Sequence, residues 1–241
     1  MVIKNNNKIM KTKIFADGAD KKIMLEMYNN SLISGLTTNP TLMRKAGITN
    51  YKEFAVDLLS EIKDMSISFE VFSDDLKIME EQALDISSWG ENVYVKIPIT
   101  NTKGESTYHL IENLAKKGVK VNVTAIMTIE QVINILPVMI QCKAGYVSVF
   151  AGRIADTGVD PLPTMIEVVK LLKDYSHLEL IWASCREFYN IIQADNIDCH
   201  IITVPNDIFK KISMLNKDLI ELSLDTVKMF YNDAIASGFS I

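Results

Sequence analysis

The sequence predicts an α/β fold: a single (β/α)8 (TIM) barrel with an additional C-terminal helix. Three observations carry this expectation. Short apolar runs suited to buried parallel strands recur eight times along the 241 residues. Helical patterns stand between them, giving a repeat of roughly 25–30 residues, as a (β/α)8 barrel requires. No G-x-G-x-x-G or G-x-x-x-x-G-K-[ST] follows the first strand, which disfavours the runner-up, a doubly wound open sheet.

The expected strands lie near Lys13–Ala16, Ile33–Thr37, Ile67–Val71, Val93–Ile97, Lys120–Thr124, Tyr146–Phe150, Leu180–Ala183 and Ile201–Val204. Tyr51–Met65 reads as a helix, with Phe54, Leu58, Leu59, Ile62 and Met65 on one stripe. Asn50 with Glu53, and Thr128 with Gln131, look like capping boxes at two helix starts. Asp160-Pro161 fits an N-cap followed by a proline in the first turn. Pro205–Met214 can supply the eighth barrel helix. Lys217–Ser237 then makes an extra helix, apolar enough to need a cover, either a barrel end or a neighbouring subunit.

No linker or low-complexity stretch divides the chain. Residues 1–10 read as a flexible N-terminal extension without the apolar core of a signal peptide. Residues 11–241 read as one barrel domain that includes the C-terminal helix. A composition of 48% hydrophobic and 23% charged residues excludes a disordered chain, a fibre and a membrane bundle. No apolar run approaches the roughly 20 residues of a membrane span. The net charge of −5, with no basic run, argues against nucleic acid as a partner. Cys142, Cys185 and Cys199 form no C-x-x-C pair, and reduced thiols in the cytoplasm are the expected state. His109, expected mid-helix, His177 and His200 show no ligand spacing, so no metal site is expected.

Function in such a barrel lies at the C-terminal ends of the strands. Seven consecutive strand ends are polar: Asp17; Thr37-Thr38-Asn39; Glu70; Lys96; Asn122 with Thr124; Ser148 with Arg153; and Ser184 with Arg186. Lys96 sits in the apolar run Val93-Tyr94-Val95-Lys96-Ile97-Pro98, with Tyr94, Lys96 and Pro98 on one face. Burial penalises the charged form of a lysine, and a neutral amine can attack a carbonyl and form a Schiff base. A lysine snorkelling to solvent is the alternative. Asp17 and Glu70 could move the protons of that chemistry. Equally, Asp17-Gly18 could be a turn, and Glu70 a buried acid paired with Lys96. Arg153, Ser184 and Arg186 suit an anion. Ser184 could instead cap a helix, with Glu187 three residues on, and Arg186 could be a surface charge. Cys185 has no evident histidine partner for a nucleophilic thiol.

Taken in order, these segments resemble the transaldolase family, including its small fructose-6-phosphate aldolase-like members. The matching segments are Gly35-Leu36-Thr37-Thr38-Asn39-Pro40-Thr41-Leu42, Val95-Lys96-Ile97-Pro98, Asn122-Val123-Thr124, Ser148-Val149-Phe150-Ala151-Gly152-Arg153-Ile154 and Ala183-Ser184-Cys185-Arg186. The resemblance implies that Lys96 forms the Schiff base and that Asp17 transfers the proton of aldol cleavage. It implies that Glu70 works with a water that Thr124 helps to hold. It also places Asn39 and Asn122 on the sugar hydroxyls and Ser148, Arg153, Ser184 and Arg186 around the phosphate.

The implied reaction moves a dihydroxyacetone unit from a ketose phosphate to an aldose phosphate, as in the pentose phosphate pathway. Fructose 6-phosphate and sedoheptulose 7-phosphate are the implied donors. No cofactor is needed, because the protonated imine is the electron sink. Glu70 and Phe150 match the transferases, where the aldolase-like members tend to carry glutamine and tyrosine. The length of 241 residues is nearer the small members, which often form pentamer-based decamers, so a homo-oligomer is expected. Gly18 and Cys185 depart from the family pattern. A lyase that releases free dihydroxyacetone, and a non-catalytic sugar-phosphate-binding barrel, are the alternatives.

Overall fold

Residues 4–5 and 8–239 are described in the computed structural model. Eight parallel strands close into a barrel, as the sequence predicts. They are β1 (Lys13–Asp17), β2 (Ile33–Thr37), β3 (Ser66–Glu70), β4 (Val93–Pro98), β5 (Val121–Ile126), β6 (Gly145–Val149), β7 (Leu178–Trp182) and β8 (Ile201–Pro205). Neighbours follow chain order, and β8 pairs with β1 to close the ring, from Ile201 opposite Lys13 to Pro205 opposite Asp17. Lys4–Asn5 pairs antiparallel with Lys8–Ile9 outside the barrel. The rest of the expected extension, residues 1–3 and 6–7, lies outside the described residues.

Alternation sorts each strand into an inner and an outer set. The outward Ile14, Leu36, Ile67, Phe69, Val95, Val123 and Val147 join the main core beneath the helices. The inward Phe15, Tyr146, Ile181, Ala183 and Ile201 form a second cluster, with Tyr94 and Phe150 packed against it. Tyr94 stacks on Tyr146 with ring centroids 4.1 Å apart, and Phe15 meets Tyr146 edge-on at 5.6 Å. This aromatic plug fills the barrel below the polar strand ends. It leaves no room at Gly35, where a Cβ would lie 2.5 Å from the Phe15 ring.

Between the strands run α1 (Lys21–Tyr28), α2 (Pro40–Lys45), α3 (Tyr51–Glu61), α4 (Leu76–Ser87), α5 (Tyr108–Lys116) and α6 (Ile129–Met139). The second half adds α7 (Ala151–Asp156), α8 (Leu162–Leu172), α9 (Tyr189–Asn196), α10 (Asn206–Phe209) and α11 (Leu219–Ser237). Thr128 and Gln131 form the expected reciprocal capping box. At Asn50 only half of one forms, the side chain accepting from the Glu53 N–H.

Several boundaries differ from expectation. Helix α3 stops at Glu61, not Met65, because Asn92 Nδ2 donates to the carbonyls of Ile62 and Met65 and holds that stretch as the entry to β3. Helix α8 begins one residue later than expected, with Asp160 Oδ1 accepting from Leu162 N–H. The segment after β8 is a short α-helix followed by a 3₁₀ turn, Lys210–Met214. His109 stands in the first turn of α5, on the surface, rather than mid-helix. Helix α11 begins at Leu219 and ends at Gly238 in the left-handed conformation (φ 64°). It buries none of its residues. No helix among the described residues is long and apolar enough to cross a membrane.

Overpacking of the plug gives a first prediction. Gly35→Ala should destabilise the fold by about 1–3 kcal/mol. Phe15→Leu should recover part of that loss, read by urea unfolding of the two single variants and the double variant.

Candidate active site

The strand ends converge on a cavity of about 100 Å³ at the C-terminal mouth of the barrel. Of the residues expected from sequence, Asp17, Asn39, Lys96, Asn122, Thr124, Ser148, Phe150, Arg153 and Ser184 line it. Glu70 stands behind Lys96, and Arg186 lies outside. A larger cleft of about 600 Å³ lies on the outer surface between α9 and the start of α11. It is open and has Phe188, Ile192, Met214 and Leu219 on its walls, whereas the smaller cavity gathers the polar strand ends and is the candidate site.

Lys96 holds the centre. Its side chain is only 9% exposed, and its amine lies 3.2 Å from Glu70 Oε2. The same amine donates to the Thr38 carbonyl at 3.1 Å. Strand register places Glu70 opposite Lys96, and Lys96 opposite Asn122. One carboxylate and one carbonyl hold the buried amine, and its remaining side is open to the cavity. Lys96 therefore does not snorkel to solvent, and Glu70 is its partner at the cavity wall.

Asp17 stands at the end of β1, partly buried, where its Oδ1 accepts from Thr37 Oγ1 at 2.8 Å. Burial, the largest effect, raises its pKa above the ordinary carboxylate value, and the charge of Glu70 adds to it. The charge of Lys96 and the Thr37 hydrogen bond oppose this without cancelling it. A carboxyl with raised proton affinity, beside a cavity, suits proton transfer.

On the far side of Lys96, a polar chain crosses three strands. Ser148 Oγ donates to Asn122 Oδ1 at 2.6 Å, and Asn122 Nδ2 donates to Ser68 Oγ at 3.1 Å. Thr124 Oγ1 is buried in the wall with no partner among the described residues, and the buried Thr38 Oγ1 has none either. An orphaned hydroxyl beside a polar cavity is a place for a water or a substrate oxygen. Asn39 accepts from Leu42 N–H as the N-cap of α2, with Pro40 in the first turn, and this fixes the residue at the rim.

The anion residues divide. Arg153, on α7, faces the cavity with its guanidinium 5.3 Å from the centre of the Phe150 ring. It makes no ion pair among the described residues. Arg186 instead pairs through two nitrogens with Asp156 and is about half exposed. Ser184 does not cap a helix, as one reading of the sequence expected. It has φ +65°, and α9 begins only at Tyr189. Asn190 Oδ1 accepts from the N–H groups of Arg186 and Glu187, which holds the intervening loop. Gly152 is obligatory here, since a Cβ would lie 1.6 Å from the Ser184 carbonyl oxygen. The two segments therefore interlock backbone to backbone.

Thr37, Thr203 and Ala183 also line the cavity without having been assigned a role from sequence. Thr203 was legible in principle, as the inward residue between Ile201 and Pro205 on β8. Cys185 is buried, and burial pushes its thiol up to about 12. It donates to the Glu187 carbonyl and is no nucleophile at neutral pH.

The Asp17 environment predicts a trade of stability for function. Ionised Asp17 weakens the fold at neutral pH, and that penalty fades as pH falls through its raised folded value and is gone below the ordinary value of 3.8. Asp17→Asn should therefore raise the Tm at pH 7, on the order of a few degrees. Scanning calorimetry should show the gain vanishing in acid.

Solved structures share the barrel at low identity. A flavocytochrome b2 variant with benzoylformate superposes with a TM-score of 0.57 at 13% identity, over 90% of this chain and 66% of that one. A member of the enolase superfamily from Agrobacterium tumefaciens gives 0.57 at 10%, over 84% and 51%. These likenesses show the fold alone. Sequence relatives say more. A "Probable transaldolase" of Caldicellulosiruptor saccharolyticus is 35% identical over 209 residues, 85% of this chain and 89% of that protein. One of Dehalococcoides mccartyi is 32% identical over 194 residues, 80% and 86% of the two chains. One of Nitrosopumilus maritimus is 30% identical over 217 residues, 88% and 91%. The family model described as Transaldolase/Fructose-6-phosphate aldolase matches residues 14–241. With that match across the barrel and its mouth, the chain belongs to the transaldolase/fructose-6-phosphate aldolase family.

Proposed function

We propose that the chain transfers a dihydroxyacetone unit between sugar phosphates through a Schiff base on Lys96. The observation that carries this reading is the Lys96 amine, buried at the cavity wall between Glu70 and the Thr38 carbonyl. In the proposed cycle the amine attacks the ketose carbonyl and water leaves. Asp17 takes the proton from the donor's C4 hydroxyl, and the C3–C4 bond breaks. The electron pair flows into the protonated imine, an aldehyde phosphate departs, and an enamine remains on Lys96. Addition to a second aldehyde reverses these steps. Glu70 and the orphaned Thr124 hydroxyl serve the water of imine formation and hydrolysis. Asn39 and Asn122 face the sugar hydroxyls, and Ser148 stands with Arg153 and Ser184 around the phosphate.

Phosphate binding rests mainly on Arg153 and Ser184, because Arg186 is engaged by Asp156 outside the cavity. Phe150, on the cavity wall, cannot hydrogen-bond a hydrolytic water as a tyrosine would, which favours transfer over release. Fructose 6-phosphate and sedoheptulose 7-phosphate are the donors proposed. Residues 11–241 act as one unit, and the cytoplasm fits three buried free thiols.

The same reading assigns α11 to subunit contacts. Leu219, Ile220, Phe230, Tyr231 and Ile235 are between 63% and 81% exposed, and a helix this apolar needs a cover. A homo-oligomer built on pentamers is proposed, and light scattering should return at least five times 27.1 kDa. A monomer mass would contradict it.

Fructose 6-phosphate with erythrose 4-phosphate should yield glyceraldehyde 3-phosphate and sedoheptulose 7-phosphate. Lys96→Met should abolish that turnover in a folded protein. Free dihydroxyacetone without acceptor would identify a lyase, and no turnover with any ketose phosphate would favour the non-catalytic barrel. Arg153→Ala should raise KM for phosphorylated substrates about tenfold or more with a smaller change in kcat. An unchanged KM would remove Arg153 from phosphate binding.

A further inference from the structure

Tyr51 is the first residue of α3, just after the Asn50 cap, and its ring packs among Phe69, Phe72 and Trp89. Its hydroxyl does something unusual for a tyrosine in an aromatic cluster. It donates to the Glu70 carbonyl at 2.9 Å and accepts from the Glu70 N–H at 2.8 Å. One side chain thus satisfies both backbone groups of one strand residue.

The sheet explains why those groups were available. Strands β2 and β3 pair with Thr37 opposite Ser68, and the Thr38 N–H donates to the Ser68 carbonyl at 3.3 Å. In a parallel ladder the next rung would join Glu70 N–H to the Thr38 carbonyl, and the N–H of residue 40 to the Glu70 carbonyl. Residue 40 is Pro40, which has no N–H. The chain turns away into α2 at this point, and the rung does not form. Its Thr38 carbonyl accepts the Lys96 amine instead. The Tyr51 hydroxyl stands in for the missing rung on the β3 side. On its other edge the strand stays anchored, with Val71 N–H donating to the Lys96 carbonyl at 3.1 Å.

We infer that Tyr51 is a positioning residue for the Glu70–Lys96 pair, its hydroxyl replacing a sheet rung so that the Thr38 carbonyl stays free for the amine. This inference rests on the proposed chemistry of Lys96 and deepens it. Without the hydroxyl, Glu70 N–H has two choices. It can remain unpaired, or it can swing toward the Thr38 carbonyl and compete with Lys96. Either choice moves the Glu70 carboxylate relative to the amine. Burial raises the phenol's pKa, which keeps the hydroxyl protonated and able to donate.

The test is Tyr51→Phe, with Phe72→Leu as a packing control that alters the same aromatic cluster and leaves the hydroxyl in place. Tyr51→Phe should lower kcat for the transfer reaction about tenfold while KM for fructose 6-phosphate stays within about twofold. Hydrogen exchange of the Glu70 amide should quicken about tenfold or more, while Phe69 is unchanged. On a Glu70→Gln background the same substitution should cost less than about threefold in kcat. An unchanged kcat with a still-protected Glu70 amide would overturn the inference, as would an equal loss in Phe72→Leu. Should Tyr51→Phe fail to fold, fluorotyrosine at position 51 keeps the ring and its shape. A more acidic phenol is a weaker acceptor, so exchange of the Glu70 amide should quicken and kcat should fall without a change in fold. Unchanged exchange and unchanged kcat would overturn the inference. Inactive wild-type protein would count against the Lys96 chemistry, and the exchange of the Glu70 amide would still decide the role of Tyr51.

Discussion

Lys96 brings an amine into the mouth of the barrel with 9% of its side chain exposed, and a buried amine needs partners. Its two partners come from two neighbouring strands, the Glu70 carboxylate from β3 and the Thr38 carbonyl from the end of β2. Neither could be in place unless the strand register were fixed and the β2–β3 ladder stopped where it does. Pro40 ends that ladder, Asn39 caps the helix that follows, and the freed carbonyl turns to the amine. The site is thus a consequence of where one sheet pairing breaks off.

The barrel supports this arrangement from below and from the side. Phe15, Tyr94, Tyr146, Ile181 and Ile201 fill the interior beneath the polar layer, so nothing at the floor of the cavity can collapse. At the side, Gly152 lets the Arg153 segment press against the Ser184 backbone. Ser184 holds φ +65° there, a conformation that costs a non-glycine residue energy and that the interlock over-determines. Desolvated Asp17 is a second local cost. The strained Ser184 and the desolvated Asp17 both stand at the mouth of the barrel.

The fold was largely legible in the sequence because eight apolar runs of strand length survive averaging over local detail. All eight strands fall within a few residues of expectation. Most of the cavity was also legible, because alternation from Tyr94 to Lys96 and from Asn122 to Thr124 states which side chains face inward. What escaped depended on contacts between distant segments. The Ser184 loop looks like a helix start until Asn190 captures its N–H groups. Arg186 looks like a cavity residue until Asp156 claims it. Thr203 carries no charge to draw notice, and no local spacing signals that Tyr51 reaches Glu70 across 19 positions. Helix α11 was expected from its periodicity, and that periodicity cannot say what covers it.

The chemistry of the barrel mouth turns on whether the buried amine is the reacting group. Borohydride reduction in the presence of fructose 6-phosphate, followed by peptide mass mapping, tests this most directly. The account predicts a stable adduct of one dihydroxyacetone unit on the peptide carrying Lys96 and none on other lysines. Folded protein that binds the sugar phosphate yet gives no adduct at Lys96, or an adduct at another lysine, would contradict it.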